Sequence, residues 1–495
     1  MTQTAFSRPL AGLSRWGLGG SRFHDYLEIL LIGSGARVIG LASQFLVLLI
    51  LGRVLSKSSF GDLMTAFGFY RLASAALGVG GSLVLLFHIS RHPDDKDAEI
   101  KLHRYAALLG AGISALVAVA GFISAGTIAE VLGKPGLEVW FRDLAPFAVF
   151  NTLLIVSTGA LEGRSRVSES IALSEVAPNL VRVALLPLVS WLHLPDVYVA
   201  HVLTLSVIIP WLWPAQRLRD RSVPGMRSWS VWDHNYCAKS VVAMLFANQL
   251  GAVDILVGGA LFSSDVVADY AVASRIAGLF TFLQLAVLKR FAPRAGRLIQ
   301  TGETGLLRQE VELCRRLMIA LAALSVCGIL VIAPYVLPLF GNYGGALHLL
   351  YWLAIPAYVG AFYATSDRLL TIAGQATVTL LFNGLSFLVL ITLPFAAARS
   401  IGVIAIPAAM ILSTLVFNLI ITARVRRMFG IRTIRWPDAA LMAVGAVALA
   451  AGAITGTTLA GVAACGVLAC IGLYFASSAM GWRDRSQING QARTL

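Results

Sequence analysis

The sequence predicts an all-α integral membrane protein with about fourteen transmembrane helices. Hydrophobic residues make up 58% of the 495 residues, and charged residues make up 13%. A soluble domain would carry about a quarter charged residues and could not bury so much apolar surface. Apolar runs of about 18 to 25 residues recur along the chain, and each is long enough to cross the hydrocarbon core of a bilayer. A soluble domain with a single membrane anchor is therefore excluded.

The predicted spans are separated by short loops. They cover residues 27–51, 60–88, 105–129, 140–160, 171–192, 197–214, 240–262, 268–288, 317–339, 346–373, 379–398, 401–423, 436–455 and 458–480. Arginine and lysine cluster in alternate loops, which the positive-inside rule assigns to the cytoplasm together with both termini. The net charge of +14 reflects this sidedness. It favours contact with anionic membrane lipids and is no sign of nucleic-acid binding.

A weak internal repeat divides the chain into two similar halves. LGRVLSKSSFGDL at 51–63 resembles VGGALFSSDVVADY at 257–270, and ALEGRSRVS at 160–168 resembles TIAGQATVT at 371–379. Internal repeats are the usual plan of secondary transporters. The expected parts are a basic N-terminal arm, a six-helix half, a cytoplasmic linker, a second six-helix half, two additional helices and a cytoplasmic tail. In the same order, they occupy residues 1–26, 27–214, 215–239, 240–425, 426–482 and 483–495.

Arginine residues occur inside the predicted spans. They are Arg37, Arg71, Arg182, Arg275 and Arg368. A charged side chain at the middle of a membrane helix costs roughly 2.5–3.5 kcal/mol on insertion scales, so it rarely faces lipid. Arg368 follows Asp367 near the cytoplasmic end of its span, where a local ion pair or snorkelling explains it. Arg182 lies two helical turns after Glu175, so both an ion pair with that carboxylate and a role in a site stay open.

Four short motifs point to a known family. They are VLSKSSFGDL between the first two spans, LEGRSR in an inner loop, ADYAVASRIAGLF at the start of the eighth span and KRFAPRAGRL at its end. In this order they resemble the polysaccharide transporters, or O-antigen-type flippases, of the multidrug/oligosaccharidyl-lipid/polysaccharide (MOP) exporter superfamily. The resemblance covers most of residues 27–425. It implies a fold like that of the MATE exporters, with two six-helix halves around a central cavity and two additional helices.

The resemblance also implies that the first, second, seventh and eighth spans line this cavity. Arg37, Arg71 and Arg275 would then project into one chamber, with Asp254 as a nearby acid and a candidate for ion coupling. The excess positive charge needs water or an anionic ligand, and a guanidinium group suits a diphosphate because it donates two parallel hydrogen bonds. Separate buried ion pairs are the alternative. The candidate substrate-binding residues are Arg37, Arg71, Arg182, Arg275, Asn248 and Gln249.

These features predict a flippase that moves a lipid-linked oligosaccharide to the outer leaflet of the bacterial cytoplasmic membrane by alternating access, for polysaccharide export. The resemblance implies an undecaprenyl-diphosphate carrier, with polysaccharide polymerase or export machinery as further partners. A lipid II flippase of peptidoglycan synthesis stays open, because the same residue types suit its substrate. A multidrug cation antiporter is disfavoured, since it needs cavity carboxylates and arginines outnumber acids within these spans.

A membrane glycosyltransferase or polymerase is the alternative from another class. Such enzymes need an extramembrane loop for their catalytic groups, but the longest outer loops here have about ten to fifteen residues. The large inner loops contain no G-x-G-x-x-G, D-x-D or G-K-S/T motif. The five cysteines have no C-x-x-C spacing, so neither a zinc site nor a disulfide framework is predicted. We expect a transporter that is not an enzyme and that needs no cofactor.

Overall fold

The chain folds into long α-helices that follow the predicted spans. The computed structural model describes residues 35–91, 96–164, 166–219, 234–247, 252–373, 375–431, 433–456 and 458–491. These residues contain no β-strand. A helix makes all its backbone hydrogen bonds within one segment, as the interior of a bilayer requires. The all-α fold class is thereby confirmed. The predicted N-terminal arm at 1–26 and part of the predicted linker, 220–233, lie outside the described residues.

The helices of the first half form one bundle. Its helices are α1 (Gly35–Val54), α2 (Lys57–Arg91), α3 (Lys96–Val131), the short α4 (Leu137–Asp143), α5 (Ala145–Gly163), α6 (Val167–Ile171), α7 (Ala177–Trp191) and α8 (Tyr198–Arg219). A π-helical turn, Ala172–Val176, joins α6 to α7, so that the three elements form the fifth predicted span. α5 packs against α2, α3 and α8, and α1 packs against α7.

The second half repeats this succession of spans. Its helices are α9 (His234–Ala247), α10 (Asp254–Leu261), α11 (Ser264–Ala277), α12 (Phe282–Gln300), α13 (Thr304–Phe340), α14 (Gly345–Ile372), α15 (Ala376–Ile401) and α16 (Ala405–Phe429). α9 and α10 lie in the seventh predicted span. A 3₁₀-helical turn, Gly278–Thr281, joins α11 to α12. The two additional helices are α17 (Trp436–Thr455) and α18 (Thr458–Gln491).

The helices agree with the fourteen predicted spans. Ten segments of the described residues are long and apolar enough to cross a membrane, and one of them, Leu380–Phe429, contains most of α15 and all of α16. Two shorter apolar helices, Ala42–Val54 and Cys237–Phe246, lie in the first and seventh predicted spans. The eighth span is formed by α11 and α12 with the turn between them.

A buried ion-pair network fastens the two additional helices to the second half. Arg315 of α13 is only 1% exposed and contacts Glu312 at 3.0 Å and Asp438 of α17 at 2.8 Å. The hydroxyl of Tyr358 on α14 donates a hydrogen bond of 3.0 Å to the carbonyl oxygen of Leu441. A buried arginine needs such partners, because an unpaired charge away from water is strongly destabilising.

The two halves contact each other closely at the end of the molecule opposite the basic loops. Lys57 Nζ, at the start of α2, forms an ion pair of 2.8 Å with Asp269 of α11. Lys134 Nζ, in the turn after α3, donates a hydrogen bond of 2.7 Å to the carbonyl oxygen of Gly259. We call this region of contact between the halves the seal.

Direct backbone contact completes the seal where α2 meets α11. Ser264 Oγ donates a hydrogen bond to the carboxylate of Asp62. A Cβ atom on Gly61 would overlap the carbonyl oxygen of Ser264 and lie 2.7 Å from its carbonyl carbon. Glycine at position 61 therefore allows the two backbones to approach more closely than any side chain there would permit.

The seal also holds a charged pair in partly buried surroundings. Burial lowers the pKa of the Lys134 ammonium, and the nearby Asp62 carboxylate opposes that shift.

Glycine also allows close packing within the first half, which predicts a stability difference. A Cβ atom on Gly159 of α5 would lie 2.7 Å from the Cα atom of Ser82 on α2, whereas one on Gly112 of α3 would meet nothing within 4 Å. Gly159→Ala should destabilise the protein by about 1–3 kcal/mol, because neither backbone can yield without repacking.

The measurement is the thermal unfolding midpoint of the purified protein in detergent, with Gly112→Ala as the matched control. We expect the midpoint of Gly159→Ala to fall by several degrees and that of the control to stay within about one degree of the parent. Equal midpoints for the two variants would contradict the packing described for α2 and α5.

Candidate functional site

A cavity with a volume of about 530 Å³ lies beside the seal. Its wall is formed mainly by the first half, by α1, α2, α5, α7 and α8 together with the π-helical turn, and the second half contributes the end of α11 and the 3₁₀-helical turn. The end nearest the seal is apolar, with Leu51, Leu63 and Met64 in its wall. The polar residues lie further along the same helices. They are Gln44, Arg71, Asn151, Ser174, Glu175, Asn179, Arg182, Ser274 and Arg275.

Three arginine side chains from three different helices reach this cavity. Arg71 comes from α2, Arg182 from α7 and Arg275 from α11, and each is half-buried. Arg71 and Arg182 are close enough to repel each other electrostatically, and Arg275 is repelled by both. We call these three residues the arginine cluster. Their charges share one hollow, so a single anion could contact more than one of them.

Two members of the cluster keep their guanidinium groups available. Among the described residues, neither Arg71 nor Arg275 has a hydrogen bond or ion pair through its guanidinium group. A guanidinium group has five N–H donors, and a buried donor without a partner costs free energy. The geometry therefore favours water or an anionic ligand in the cavity over separate buried ion pairs for these two residues.

Arg182 is held in place by neutral groups. Its Nε donates a hydrogen bond of 2.8 Å to Ser206 Oγ, and its Nη1 donates one of 3.2 Å to Asn179 Oδ1. The guanidinium carbon also lies 5.8 Å from the ring centre of Phe67, which provides a cation–π contact. No ion pair between Arg182 and Glu175 occurs in the described part of the chain. Neutral partners orient this arginine without cancelling its charge.

Asp254 lies one layer behind the cavity wall. It is fully buried, and its carboxylate accepts hydrogen bonds of 3.0 Å from Tyr270 and from the cavity-lining Ser274. Its negative charge acts on Arg71 and on Arg275. The only acid that the sequence predicts near the arginines is thus within electrostatic reach of two of them, but hydroxyl groups separate it from the cavity. Its predicted role in ion coupling stays a prediction.

The other predicted site residues have different positions. Arg37 belongs to α1 and precedes the cavity-lining Gly40 by three residues. Asn248 and Gln249 lie outside the described residues. Arg368 is exposed on α14 and is absent from the cavity wall, as the snorkelling explanation expects.

Sequence reasoning missed the polar residues on the first and fifth spans. The sequence suggested Glu175 only as an ion-pair partner for Arg182. In the structure, Glu175 is exposed to the cavity, and so is Gln44 of α1. The π-helical turn carries Ser174 and Glu175 into the wall, and such turns inside α-helices often mark functional sites. A signal was present, because Glu175 is an acid inside a predicted span with no basic residue within one helical turn.

Comparison with known proteins agrees with this architecture. Residues 31–212 match a family model described as "Polysaccharide biosynthesis protein". A search of the curated proteins finds no match.

Solved structures with the same fold cover most of the chain. An inward-facing multidrug resistance MATE family transporter of the MOP superfamily is 15% identical with a TM-score of 0.67, and the match covers 79% of this chain and 94% of that chain. The outward-facing conformation of such a transporter is 18% identical with a TM-score of 0.56, and the match covers 81% and 96%. The lipid II flippase MurJ in an inward closed conformation is 13% identical with a TM-score of 0.67, and the match covers 92% and 99%.

These likenesses to solved structures show the fold that the family resemblance implies. The match to the polysaccharide biosynthesis family lies in the half of the chain that forms most of the cavity wall. The likeness to MurJ extends over most of this chain. The chain therefore has the same fold as these solved transporters, and residues 31–212 are similar to the polysaccharide biosynthesis family.

Proposed function

We propose that this protein is a flippase that moves a lipid-linked oligosaccharide across the bacterial cytoplasmic membrane by alternating access. The observation that carries the proposal is the arginine cluster in a cavity beside the contact between two six-helix halves. The ligand would bind through a diphosphate group, and its lipid tail would stay in the bilayer. Undecaprenyl diphosphate is the lipid carrier that the family resemblance suggests.

The charge of the cavity supports an anionic substrate. Arg71, Arg182 and Arg275 contribute three positive charges, whereas the nearby acids among the described residues are Asp254, behind the wall, and Glu175. A diphosphate offers several acceptor oxygens to guanidinium groups and would relieve their mutual repulsion. A cavity of about 530 Å³ is within the usual range for sites that enclose a ligand headgroup.

The seal supports alternating access. It closes one end of the contact between the halves, and the positive-inside rule assigns that end to the outer face of the membrane. The TM-score is higher with the inward-facing MATE structure, at 0.67, than with the outward-facing one, at 0.56. In the proposed cycle, the substrate enters from the cytoplasmic side, and rocking of the halves then breaks the seal and opens the cavity outward.

A lipid II flippase is the second candidate, because the likeness to MurJ covers 92% of this chain and lipid II also carries a diphosphate. The match of residues 31–212 to the polysaccharide biosynthesis family favours a polysaccharide precursor instead. Complementation separates the two: we expect the gene to restore polysaccharide export in a strain that lacks its own flippase, and not to rescue a strain depleted of its lipid II flippase. The reverse result would assign the chain to cell-wall synthesis.

Substitution of the arginine cluster tests the binding site. Arg71→Ala and Arg275→Ala should each weaken binding of a polyprenyl-diphosphate saccharide by about 2 kcal/mol or more, a loss of at least about 30-fold, because a charged donor to the diphosphate is removed. The sequence predicts the same outcome for Arg37→Ala. Binding is measured with the purified protein in lipid nanodiscs, and export is measured by complementation.

Arg368→Ala is the matched control, since it removes an exposed arginine from α14 outside the cavity. It should bind and export as the parent does. Wild-type affinity in the Arg71 and Arg275 variants, with normal membrane insertion, would remove the basis of the proposed function.

Asp254→Asn tests ion coupling. We expect transport by this variant to lose its dependence on the proton or sodium gradient, because an amide can neither take up a proton nor compensate the charge of the two nearby arginines. Transport is followed in proteoliposomes with an imposed gradient, and Asp196→Asn, in the exposed turn before α8, is the control. If the gradient dependence of Asp254→Asn equals that of the control, the carboxylate has no part in coupling.

Covalent closure of the seal tests alternating access. Lys57→Cys and Asp269→Cys are introduced together into a variant without the five natural cysteines and joined by a short cleavable thiol crosslinker. We expect crosslinking to stop transport and reduction to restore it, because the two residues pair across the halves at 2.8 Å. The control pair is Glu138→Cys with Arg142→Cys, which lie on one helix and form an ion pair of 2.7 Å. Undiminished transport with the seal crosslinked would exclude opening at this end.

A further inference from the structure

We propose that Glu175 and Gln44 form a second subsite of the cavity, which binds the sugars next to the diphosphate and selects neutral or amino sugars over uronic acids. We call this pair the sugar subsite. The inference rests on the proposed function, because it takes the arginine cluster as the place of the diphosphate.

The two side chains of the sugar subsite are free to contact a ligand. Both are exposed and both line the cavity, although they lie in predicted membrane spans. Neither side chain makes a hydrogen bond or ion pair within the part of the chain that the structure describes. A carboxylate only accepts hydrogen bonds, whereas an amide both donates and accepts. Polar groups at membrane depth need a partner, so a ligand or water must satisfy them.

The backbone places these two residues on adjoining elements, about one helical turn apart. A Cβ atom on Gly40 of α1 would lie 3.7 Å from the Cβ atom of Glu175, so α1 and the π-helical turn are in contact at this level. Gln44 follows Gly40 by four residues, which places it one turn further along the same face of α1. The pair therefore consists of an acceptor and an amide on adjoining elements of one wall.

Asn179 links the sugar subsite to the arginine cluster. Its Nδ2 donates a hydrogen bond of 2.7 Å to the backbone carbonyl oxygen of Glu175, and its Oδ1 accepts one of 3.2 Å from Arg182. One amide thus fixes the position of the carboxylate relative to an arginine of the cluster.

The distance between the arginine cluster and the sugar subsite fits a ligand that contacts both. Arg182 follows Glu175 by seven residues, which is about 10 Å along a helix. In the other direction, toward the seal, the wall consists of Leu48, Leu51 and Leu63, which offer no hydrogen bond to a sugar hydroxyl. A ligand held by its diphosphate at the arginine cluster would therefore place its first sugars at Glu175 rather than at the seal.

The carboxylate makes this subsite selective. It accepts hydrogen bonds from neighbouring sugar hydroxyls and attracts the ammonium group of an amino sugar. The carboxylate of a uronic acid in the same place would be repelled by the carboxylate of Glu175. Neither carboxylate could donate a hydrogen bond to the other. Sugars with a neutral or positively charged ring substituent should therefore bind more tightly than uronic acids.

Three synthetic ligands test the proposal on the full-length protein in nanodiscs. All carry the same polyprenyl diphosphate; one has no sugar, one a neutral hexose and one a uronic acid. We expect the parent to bind the hexose ligand at least about tenfold more tightly than the uronic acid ligand, because like charges in contact are strongly disfavoured. Glu175→Gln should reduce this ratio to within about twofold while its affinity for the sugar-free ligand stays unchanged.

Two further variants keep the test specific. Glu130→Gln changes an exposed carboxylate at the end of α3, outside the cavity wall, and should keep the full preference. Gln44→Ala should weaken binding of the hexose ligand several-fold and leave the sugar-free ligand unaffected. Unchanged affinity for the sugar-free ligand also serves as the sign that each variant is folded.

The results separate failure of the subsite from failure of the proposed function. If Glu175→Gln keeps the parental preference for the hexose ligand, or loses the sugar-free ligand as well, the sugar subsite is refuted. A change in the gradient dependence of transport, with the preference intact, would also refute it and would make Glu175 a coupling group. If the parent binds none of the three ligands, the proposed function itself fails, and the subsite with it.

Discussion

Mutual repulsion among three guanidinium groups in a hollow at membrane depth is the constraint on which the site depends. Arg71, Arg182 and Arg275 come from three helices and act on one another's charge. Low dielectric surroundings strengthen that repulsion, so the arrangement is stable only with compensation. The protein supplies part of it through the buried carboxylate of Asp254, whose charge acts on Arg71 and Arg275. The rest of the positive charge must be compensated by the molecules that occupy the cavity, and for this reason we propose an anionic substrate.

The scaffold keeps these charges together by packing the halves tightly at one end. Glycine at position 61 lets the backbones of α2 and α11 meet, and the ion pair between Lys57 and Asp269 ties the same two helices. Apolar contacts also join the halves at this end, since the ring of Phe60 packs against that of Tyr343 with 5.8 Å between their centres.

Much of the fold was predictable from the sequence because it follows from solvation. Apolar length defined the spans, and the resemblance carried by the motifs implied the fold that solved transporters share. The site was less predictable. The sequence left two explanations open for Arg182, an ion pair with Glu175 or a role in a site. In the structure its guanidinium group donates hydrogen bonds to Ser206 and Asn179. Those partners lie on two different spans, and one of them is 24 residues away. Hydropathy and charge say nothing about which faces of neighbouring helices meet.

The sequence by itself determined that the chain crosses a membrane many times and carries more positive than negative charge inside its spans, because both are properties of residue type along the chain. Only the tertiary structure decided that the arginines of α2, α7 and α11 share one cavity and that Asp254 stands behind its wall. It also turned Glu175 toward the cavity, through a π-helical turn that alters the register of the fifth span. Helix crossing and side-chain direction depend on packing between residues far apart in the chain, and no local pattern encodes them.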